Sequence, residues 1–509
     1  MPAKKYIDYM DEISSDEPYE GLLSYGIFAD KLPPIFTGEN FFQYVSTLQQ
    51  PFSAKAEHGF IFFESMRDIN IPRPLGIPNP MAYQLLCKCL ANHWPEIKDH
   101  FQNQTGNDIH KVSRIHIRKI KDSKALFEMN YQNWKIDESP VPDLLIGNRY
   151  RVCADISTCF PSMYSHALCW AIAGIDYAKA HREDTLWFNA LDTRCMKTKN
   201  GETHGFLIGP HTSNLLSEII LTVVDKELVA EGWRYIRNID DYTCYVASYE
   251  EAQRFLGSLN KHLREFDLPL NHKKTKIEEL PVASTTDWVH QLNAVELVAY
   301  FGKVSFKTAR AYLDTAVKLM YENGKNASVI KYAVKVLSSQ KLTLTDNAKK
   351  YCSKTIMHLA VIFPYLVPLL EKYVFVPYEV EQDEIKIVSK ILYIDGIKGG
   401  NYEEAIYAIY FAIKHQFEIE EIATDDAIDC DSCLLKLFVW MYFSNLNDDG
   451  AIKKLKQHAR DILEKSQTDN DFDKFWLFLY EALPMSKLKG EWKPMKRAGV
   501  SFIKDFSKW

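Results

Sequence analysis

The chain has 509 residues, 47% of them apolar and 25% charged, with a formal net charge of −6 at pH 7. That length exceeds one ordinary core, and the composition is that of a globular protein, so two or three domains are expected. A protein that grips a long duplex through its overall charge carries a basic excess; this chain does not, which leaves nucleic-acid contact to a local basic patch.

The first five residues, MPAKK, lack the apolar core of a signal peptide. Residues 1–25 carry Tyr6, Tyr9, Tyr19 and Tyr25 without a strong period and read as a mobile arm or short helix. Residues 26–36 form a proline-stiffened connection with buried aromatics. Residues 71–80 (IPRPLGIPNP) are extended, because each proline disfavours helix in the residue before it. A helix follows over 81–99, with Leu85, Leu86, Leu90 and Trp94 on one stripe. Residues 111–121 alternate as a strand, with Arg114, His116 and Arg118 on one face and Ile115 and Ile117 on the other. The basic face is either the solvated side of a half-buried strand or a finger strand whose guanidinium groups hold a triphosphate.

An apolar strand within 149–168 ends on Asp155, and Pro161 then opens a helix, where its missing N–H costs nothing. An acid at the end of a buried strand needs a cation or hydrogen bonds. Asp155 is therefore a metal ligand or a helix-capping acid. Further on, Gly209 and Pro210 make a turn and Thr212, Ser213 and Asn214 start a helix. That helix carries a core stripe of Leu216, Ile219, Ile220 and Val223, while the glycine lets backbone approach a substrate.

Residues 234–246 read as two short strands joined by a tight turn that holds Asp240 and Asp241. The same dipeptide recurs in polar surroundings at Asp425-Asp426 and Asp448-Asp449, where it is a solvated turn, so the surroundings decide its meaning. Residues 249–267 are helical, 268–277 return as a strand with a basic loop, and 298–306 form a final hairpin. From about 310 the texture changes to helix-length apolar stripes, over 327–338, 353–371, 384–394, 402–414, 432–444, 451–465 and 471–483. No strict repeat joins them, so the expectation is an irregular stack of paired helices. The longest apolar run, Ile356 to Leu370, is interrupted by His358, Pro364 and Pro368 and is shorter than the roughly 20 residues that span a bilayer. The ten cysteines, including a lone C-x-x-C at Cys430 and Cys433, fit reduced cytoplasmic thiols better than zinc or disulfides.

Three acids at strand ends in this order suit nucleotidyl transfer, which uses two divalent ions about 4 Å apart. Hard Mg2+ prefers a few carboxylates plus phosphate oxygens, so Asp155, Asp240 and Asp241 suffice. Phe160 opens the helix after Asp155, where its ring can lie under the sugar and reject a 2′-hydroxyl. Arg114 and Arg118 are the candidates for gripping the triphosphate, and Lys274 is a further cation near the leaving group.

Residues 155–162 (DISTCFPS) resemble the first metal motif of reverse transcriptases, and residues 239–241 the second. Residues 205–213, with Gly209 and Pro210, resemble the motif between them, and residues 271–275 (NHKKT) the basic motif that follows. More narrowly, LPPIF at 32–36, IPNP at 77–80 and GPHTS at 209–213 are similar to the bacterial abortive-infection reverse transcriptases, the AbiK-type group, often prophage-encoded. The likeness covers roughly residues 26–306; the helical tail matches only in kind. It implies an α+β palm and fingers over 26–306, a right hand without the usual thumb. An arm at 1–25 precedes it and an all-α, HEAT-like helical-repeat domain follows at 307–509. It also implies Mg2+, with Mn2+ as alternative, at Asp155, Ile156, Asp240 and Asp241, and dNTPs as substrates. The implied assembly is a homo-oligomer, trimer or hexamer, in the bacterial cytoplasm and off the membrane.

Members of that group add deoxynucleotides without a template, starting from a tyrosine hydroxyl of the protein itself, and arrest phage growth. The product is then single-stranded DNA attached to the chain. Tyr9 and Tyr6 are the leading candidates for the priming hydroxyl, because a loose arm spanning up to about 3.3 Å per residue reaches tens of ångströms. A phenol of pKa about 10 needs a metal ion to become a nucleophile at neutral pH. Tyr19 and Tyr25 stand behind these two. Two departures bear on copying: templated enzymes usually carry an aromatic two places before the paired acids, here Asn238, and a glutamine after the proline of the middle motif, here His211. Both weigh against templated synthesis more than against the chemistry. The alternatives are a conventional RNA-templated reverse transcriptase and an inactive palm serving as a binding scaffold.

Overall fold

The computed structural model describes residues 5–67, 71–106, 111–114, 116–119, 124–128, 139–283, 286–297, 302–339, 341–466 and 468–505. Two sheets matter for the site: aromatic and β-branched residues fill most of their strands, while proline keeps residues 72–78 extended. In the first, β1 (Phe60–Met66) and β2 (Pro72–Pro78) are antiparallel, with Phe60 opposite Pro78 and Ser65 opposite Arg73. In the second, β3 (Tyr150–Asp155), β4 (Tyr235–Asn238), β5 (Asp241–Val246) and β6 (Lys276–Glu279) are antiparallel in the order β4-β5-β3-β6. The register sets Asp155 opposite Asp241, and Asn238 opposite Asp241 across the tight turn. All three acids thus collect at one end of the sheet. Helices His211–Ala230 and Tyr249–Arg264 pack against each other beside it, burying Leu216, Ile219, Ile220, Phe255 and Leu259.

Several local expectations change. The helix foreseen over 81–99 is two helices, Pro80–Asn92 and Trp94–Thr105, because Pro95 cannot supply the N–H that would carry one helix through His93. Among the described residues of the strand foreseen over 111–121, His116–Ile117 pairs with Phe127–Glu128 and Ser113 bridges Arg237; residues 115, 120 and 121 lie outside the described residues. Arg114 and Arg118 are 2% and 6% exposed, so the solvated basic face is overturned. Of the final hairpin foreseen over 298–306, Lys303–Val304 pairs in parallel with Thr343–Leu344, and residues 298–301 lie outside the described residues. The arm is not loose either. Tyr6–Met10 is a short helix whose Tyr6, Ile7, Tyr9 and Met10 are buried, with the Tyr6 ring 5.5 Å from that of Phe101.

From Phe306 onward the chain is helical, with Phe306–Glu322, Ala327–Leu337, Asp346–Ile362, Gln382–Gly399, Tyr402–Lys414, Cys433–Asn445, Asp449–Lys465 and Trp476–Ala482 as its main helices. The stripe over 353–371 breaks at Phe363, before Pro364, into shorter helical turns. This region does not stand apart. One apolar core runs from Leu22 and Phe41 through Leu216 and Ile220 to Leu366, Leu437 and Phe502. The end of the chain returns to its beginning: Thr37 N–H donates to Phe502 O at 2.9 Å, and Lys504 N–H to Ile35 O at 2.8 Å. All ten cysteines are free thiols. Among the described residues, no helix is long and apolar enough to cross a membrane.

Candidate active site

The site is assembled by backbone before any side chain acts. Asp155, 3% exposed, ends β3, and its carbonyl accepts the Asn271 N–H at 2.7 Å. The next residue, the buried Ile156, donates its N–H to Asp240 O at 3.1 Å. Three stretches far apart in sequence are therefore laced together at the acid end of the sheet. The turn that lifts Asp240 places Ile239 at φ +56°. Its carbonyl accepts Nη1 of Arg237 at 2.9 Å.

Arg237 is fully buried and points to the helix side of the sheet. Its Nε donates to both Asp225 oxygens at 3.0 Å, Nη1 donates to Glu218 Oε2 at 3.0 Å, and Nη2 to Glu218 Oε1 at 3.2 Å. Tyr235 completes the cluster by donating its hydroxyl to Asp225 Oδ1 at 2.7 Å. Asp225 is pushed up by burial, and the Arg237 charge opposes that shift.

The three candidate metal acids repel one another. Burial first, then the charge of Asp155, raises the Asp240 carboxyl above its usual range, with Lys274 and Arg73 pulling the other way. Burial, then Asp240 and Asp155, pushes Asp241 up to about 6. The Lys274 ammonium hydrogen-bonds Asp155 Oδ2, and that bond raises the lysine in turn. Asp240 and Asp241, both raised by burial and by neighbouring negative charge, form a pair that a cation relieves. Among the described residues, no three His, Cys, Asp or Glu side chains close into a metal cage. Mg2+ seldom uses such a cage; it takes one or two carboxylates and keeps waters and phosphate oxygens, which this donor set fits.

Beside the acids, Thr158 turns the chain at φ +46° into a short helix, Cys159–Ser162, that carries Phe160, 9% exposed. Phe160 O accepts the Phe206 N–H, and Met163 O the Gly205 N–H, both at 2.8 Å. The same segment meets β2 on its other side, where Gly76 N–H donates to Ile208 O at 2.9 Å. Gly209 sits at φ +127°, and a Cβ there would lie 3.2 Å from the Cβ of Ala29 and 3.4 Å from Gly76 O. Pro210 then leads into the 211–230 helix.

The structure brings Asp155, Ile156, Asp240, Asp241 and Lys274 together, with Phe160, Gly209 and Pro210 on the adjoining segment. The other four candidates lie around the docked arm. Arg114 is tied to Arg237, donating its N–H to Arg237 O at 2.8 Å. The Arg118 guanidinium lies 5.5 Å from the centre of the Tyr9 ring, and the Lys111 ammonium 4.6 Å from it. Tyr6 is raised well above an ordinary phenol, chiefly by burial and then by Glu218. Sequence reasoning missed Arg73, whose charge is felt at Asp240, and the Glu218–Asp225–Arg237 cluster. The signals were present: an arginine inside the IPRPLGIPNP stretch, and two acids seven residues apart on a helix otherwise read as an apolar stripe.

Residues 85–304 match the family described as reverse transcriptase (RNA-dependent DNA polymerase). No curated protein matches the sequence. Among solved structures, an apo telomerase from Candida Tropicalis truncated from the C-terminal domain aligns at 13% identity and a TM-score of 0.32, over 48% of this chain and 54% of that one. The match thus spans about half of that chain's length. Apo telomerase from the same organism aligns at 10% identity and 0.33, over 82% and 72%. Telomerase from Candida albicans in complex with a TWJ fragment of telomeric RNA aligns at 10% and 0.30, over 84% and 65%.

Proposed function

We propose, from the premise that residues 85–304 are the reverse-transcriptase domain of a nucleotidyltransferase, that this chain is a Mg2+-dependent DNA polymerase that starts on one of its own tyrosines. It adds deoxynucleotides without a template and acts in bacterial abortive infection. It works in the bacterial cytoplasm as a homo-oligomer of three or six copies, its tail serving as a HEAT-like stack. The observation that carries the polymerase part is the register of the palm sheet, which sets Asp155 against Asp241 beside Asp240 and Lys274.

Asp155, Asp240 and Asp241, with Ile156 beside them, are the residues that would hold the metal. When bound, Mg2+ activates the attacking hydroxyl and neutralises charge on the leaving pyrophosphate. The chain's own residues do the rest. Lys274 stands at Asp155 as a cation for the departing phosphates, and Phe160 lies under the sugar. Arg114 and Arg118 remain candidates for the triphosphate only if the arm that covers Arg118 moves. Template independence is supported by His211, which is buried with its N–H on Gly26 O at 2.8 Å and its ring 3.7 Å from Asp30. Priming by Tyr9 or Tyr6 requires the helix Tyr6–Met10 to undock, since both side chains are 6% exposed.

Purified protein incubated with Mg2+ and each labelled dNTP, without primer or template, should label itself, and mass spectrometry should place the adduct on Tyr9 or Tyr6. An adduct outside residues 1–25, or undiminished labelling in the Tyr6→Phe, Tyr9→Phe double variant, would reject these two as primers. A second reading, RNA-templated synthesis, is favoured by the family description; incorporation that depends on an added RNA and a matching primer would select it.

Sugar discrimination gives a separate check. Phe160→Ala should admit ribonucleotides while retaining some deoxynucleotide addition, with the preference for dATP over ATP falling about tenfold or more. An unchanged ratio would remove Phe160 from this role.

A further inference from the structure

The hairpin of β1 and β2 reaches the site from the fingers, yet its two ends are held by the helical region. At the open end, Asp473, 1% exposed, lies between the residues that lead into β1 and those that leave β2. Its Oδ1 accepts Nδ2–H of Asn79 at 2.6 Å, while Oδ2 accepts the Gly59 N–H at 2.9 Å and lies 3.0 Å from Nδ1 of His58. Asn79 in turn caps the helix Pro80–Asn92, its Oδ1 accepting the Met81 N–H at 2.9 Å. At the other end, Glu403, also 1% exposed, accepts the Met66 N–H at 2.7 Å. Met66 follows Ser65, the residue opposite Arg73. Between these two points β2 carries Arg73, and Gly76 bonds the 207–209 segment next to Phe160.

We propose that Asp473 and Glu403 are positioning residues for the incoming nucleotide: two buried carboxylates of the helical region pin both ends of the β1–β2 hairpin, and so fix Arg73 and the Gly76–Ile208 contact against the acid end of the palm. The helical region then acts as the holder of the fingers. Neither carboxylate touches the substrate. This rests on the reading that nucleotides bind at Asp155, Asp240 and Asp241.

The chemistry of the two pins differs. Asp473 presents acceptors to donors on both of its oxygens. An asparagine there must turn its NH2 toward one set of donors, leaving buried groups unpaired. Glu403 uses one oxygen toward a backbone N–H, and its carboxyl is raised by burial to about 7. Glutamine can reproduce that acceptor, whereas alanine cannot.

The test measures steady-state dNTP addition and hydrogen exchange of residues 60–66 and 72–78 in the full chain, for Asp473→Asn, Glu403→Ala and Glu403→Gln. Asp473→Asn and Glu403→Ala should each raise KM for dNTP about tenfold with kcat within about twofold, as expected when uniform binding is lost. Exchange of the hairpin amides should speed up in both, and Glu403→Gln should restore wild-type values. An unchanged KM, or a loss confined to kcat, would overturn the proposal. Unchanged hairpin protection in both variants would overturn it even if wild-type protein added no dNTP, an outcome that would count against the polymerase reading instead. Should Asp473→Asn fail to fold, the comparison of Glu403→Ala with Glu403→Gln decides alone.

Discussion

Asp240→Asn should lower deoxynucleotide addition about 100- to 1000-fold while leaving the fold intact. The loss follows from removing charge stabilisation worth several kcal/mol, since each ~1.4 kcal/mol is tenfold in rate. The substitution keeps volume and the backbone link from Ile156 N–H to Asp240 O, so geometry is spared. Its effect on stability should have the opposite sign. Asp240 and Asp241 are both raised above the usual carboxylate range, so ionising them opposes folding. For Asp241 that cost is absent below the unfolded pKa of about 3.9, grows as pH rises, and is fully present above about 6. Removing one of the mutually repelling charges should therefore raise the melting temperature of metal-free protein at pH 7.5, and the gain should shrink when Mg2+ is added. Near-wild-type addition by a folded Asp240→Asn protein would show that the site lies elsewhere.

Arg237→Leu should be the most damaging single change to the palm. Arg237 is the partner that Glu218 and Asp225 share, and all three are at most 2% exposed. Breaking a buried ion cluster by removing one member costs about 3–5 kcal/mol, because the charges left behind have neither water nor partner. Two carboxylates are stranded here, which places the loss at the upper end. Hydrogen exchange over 235–246 should rise sharply and nucleotide addition should fall with it. Replacing all three together, Arg237→Leu with Glu218→Leu and Asp225→Leu, should recover much of the stability, since a well-packed apolar trio can match a buried ion cluster. Activity should recover less, because Ile239 would still lack the donor that holds its carbonyl. Equal damage in the single and triple variants would show that shape rather than charge pairing holds the palm.

The acids were legible for a local reason. Each sits at the end of a short β-favouring stretch, and strand–turn–strand with two carboxylates at the tip is written in consecutive residues. The tail helices were legible for the same reason, since apolar stripes of helical period are local. Long-range pairing was not. Nothing near Asp473 announces that it will accept from Asn79, almost 400 residues away, and Tyr6 and Tyr9 give no local sign of docking. Charge misled as well. Alternation gave Arg114 and Arg118 one shared face, either solvated or gripping a triphosphate, whereas among the described residues only His116–Ile117 forms a strand there and both arginines are buried. The prolines at 95 and 364 did mark helix breaks; the apolar stripes running across them obscured the signal.

The turn at Ile239 has a mechanical consequence. A β-branched residue at φ +56° is held in a region that costs L-residues roughly 1–2 kcal/mol, and it stays there because Arg237 grips its carbonyl from below. The tip of the hairpin is thus a loaded spring with its catch set in the protein interior. If Asp240 holds a metal as proposed, such tension fixes its aim before a charged substrate arrives and leaves little reorganisation to slow the reaction. On that reading, durability has been exchanged for aim at the tip of the hairpin.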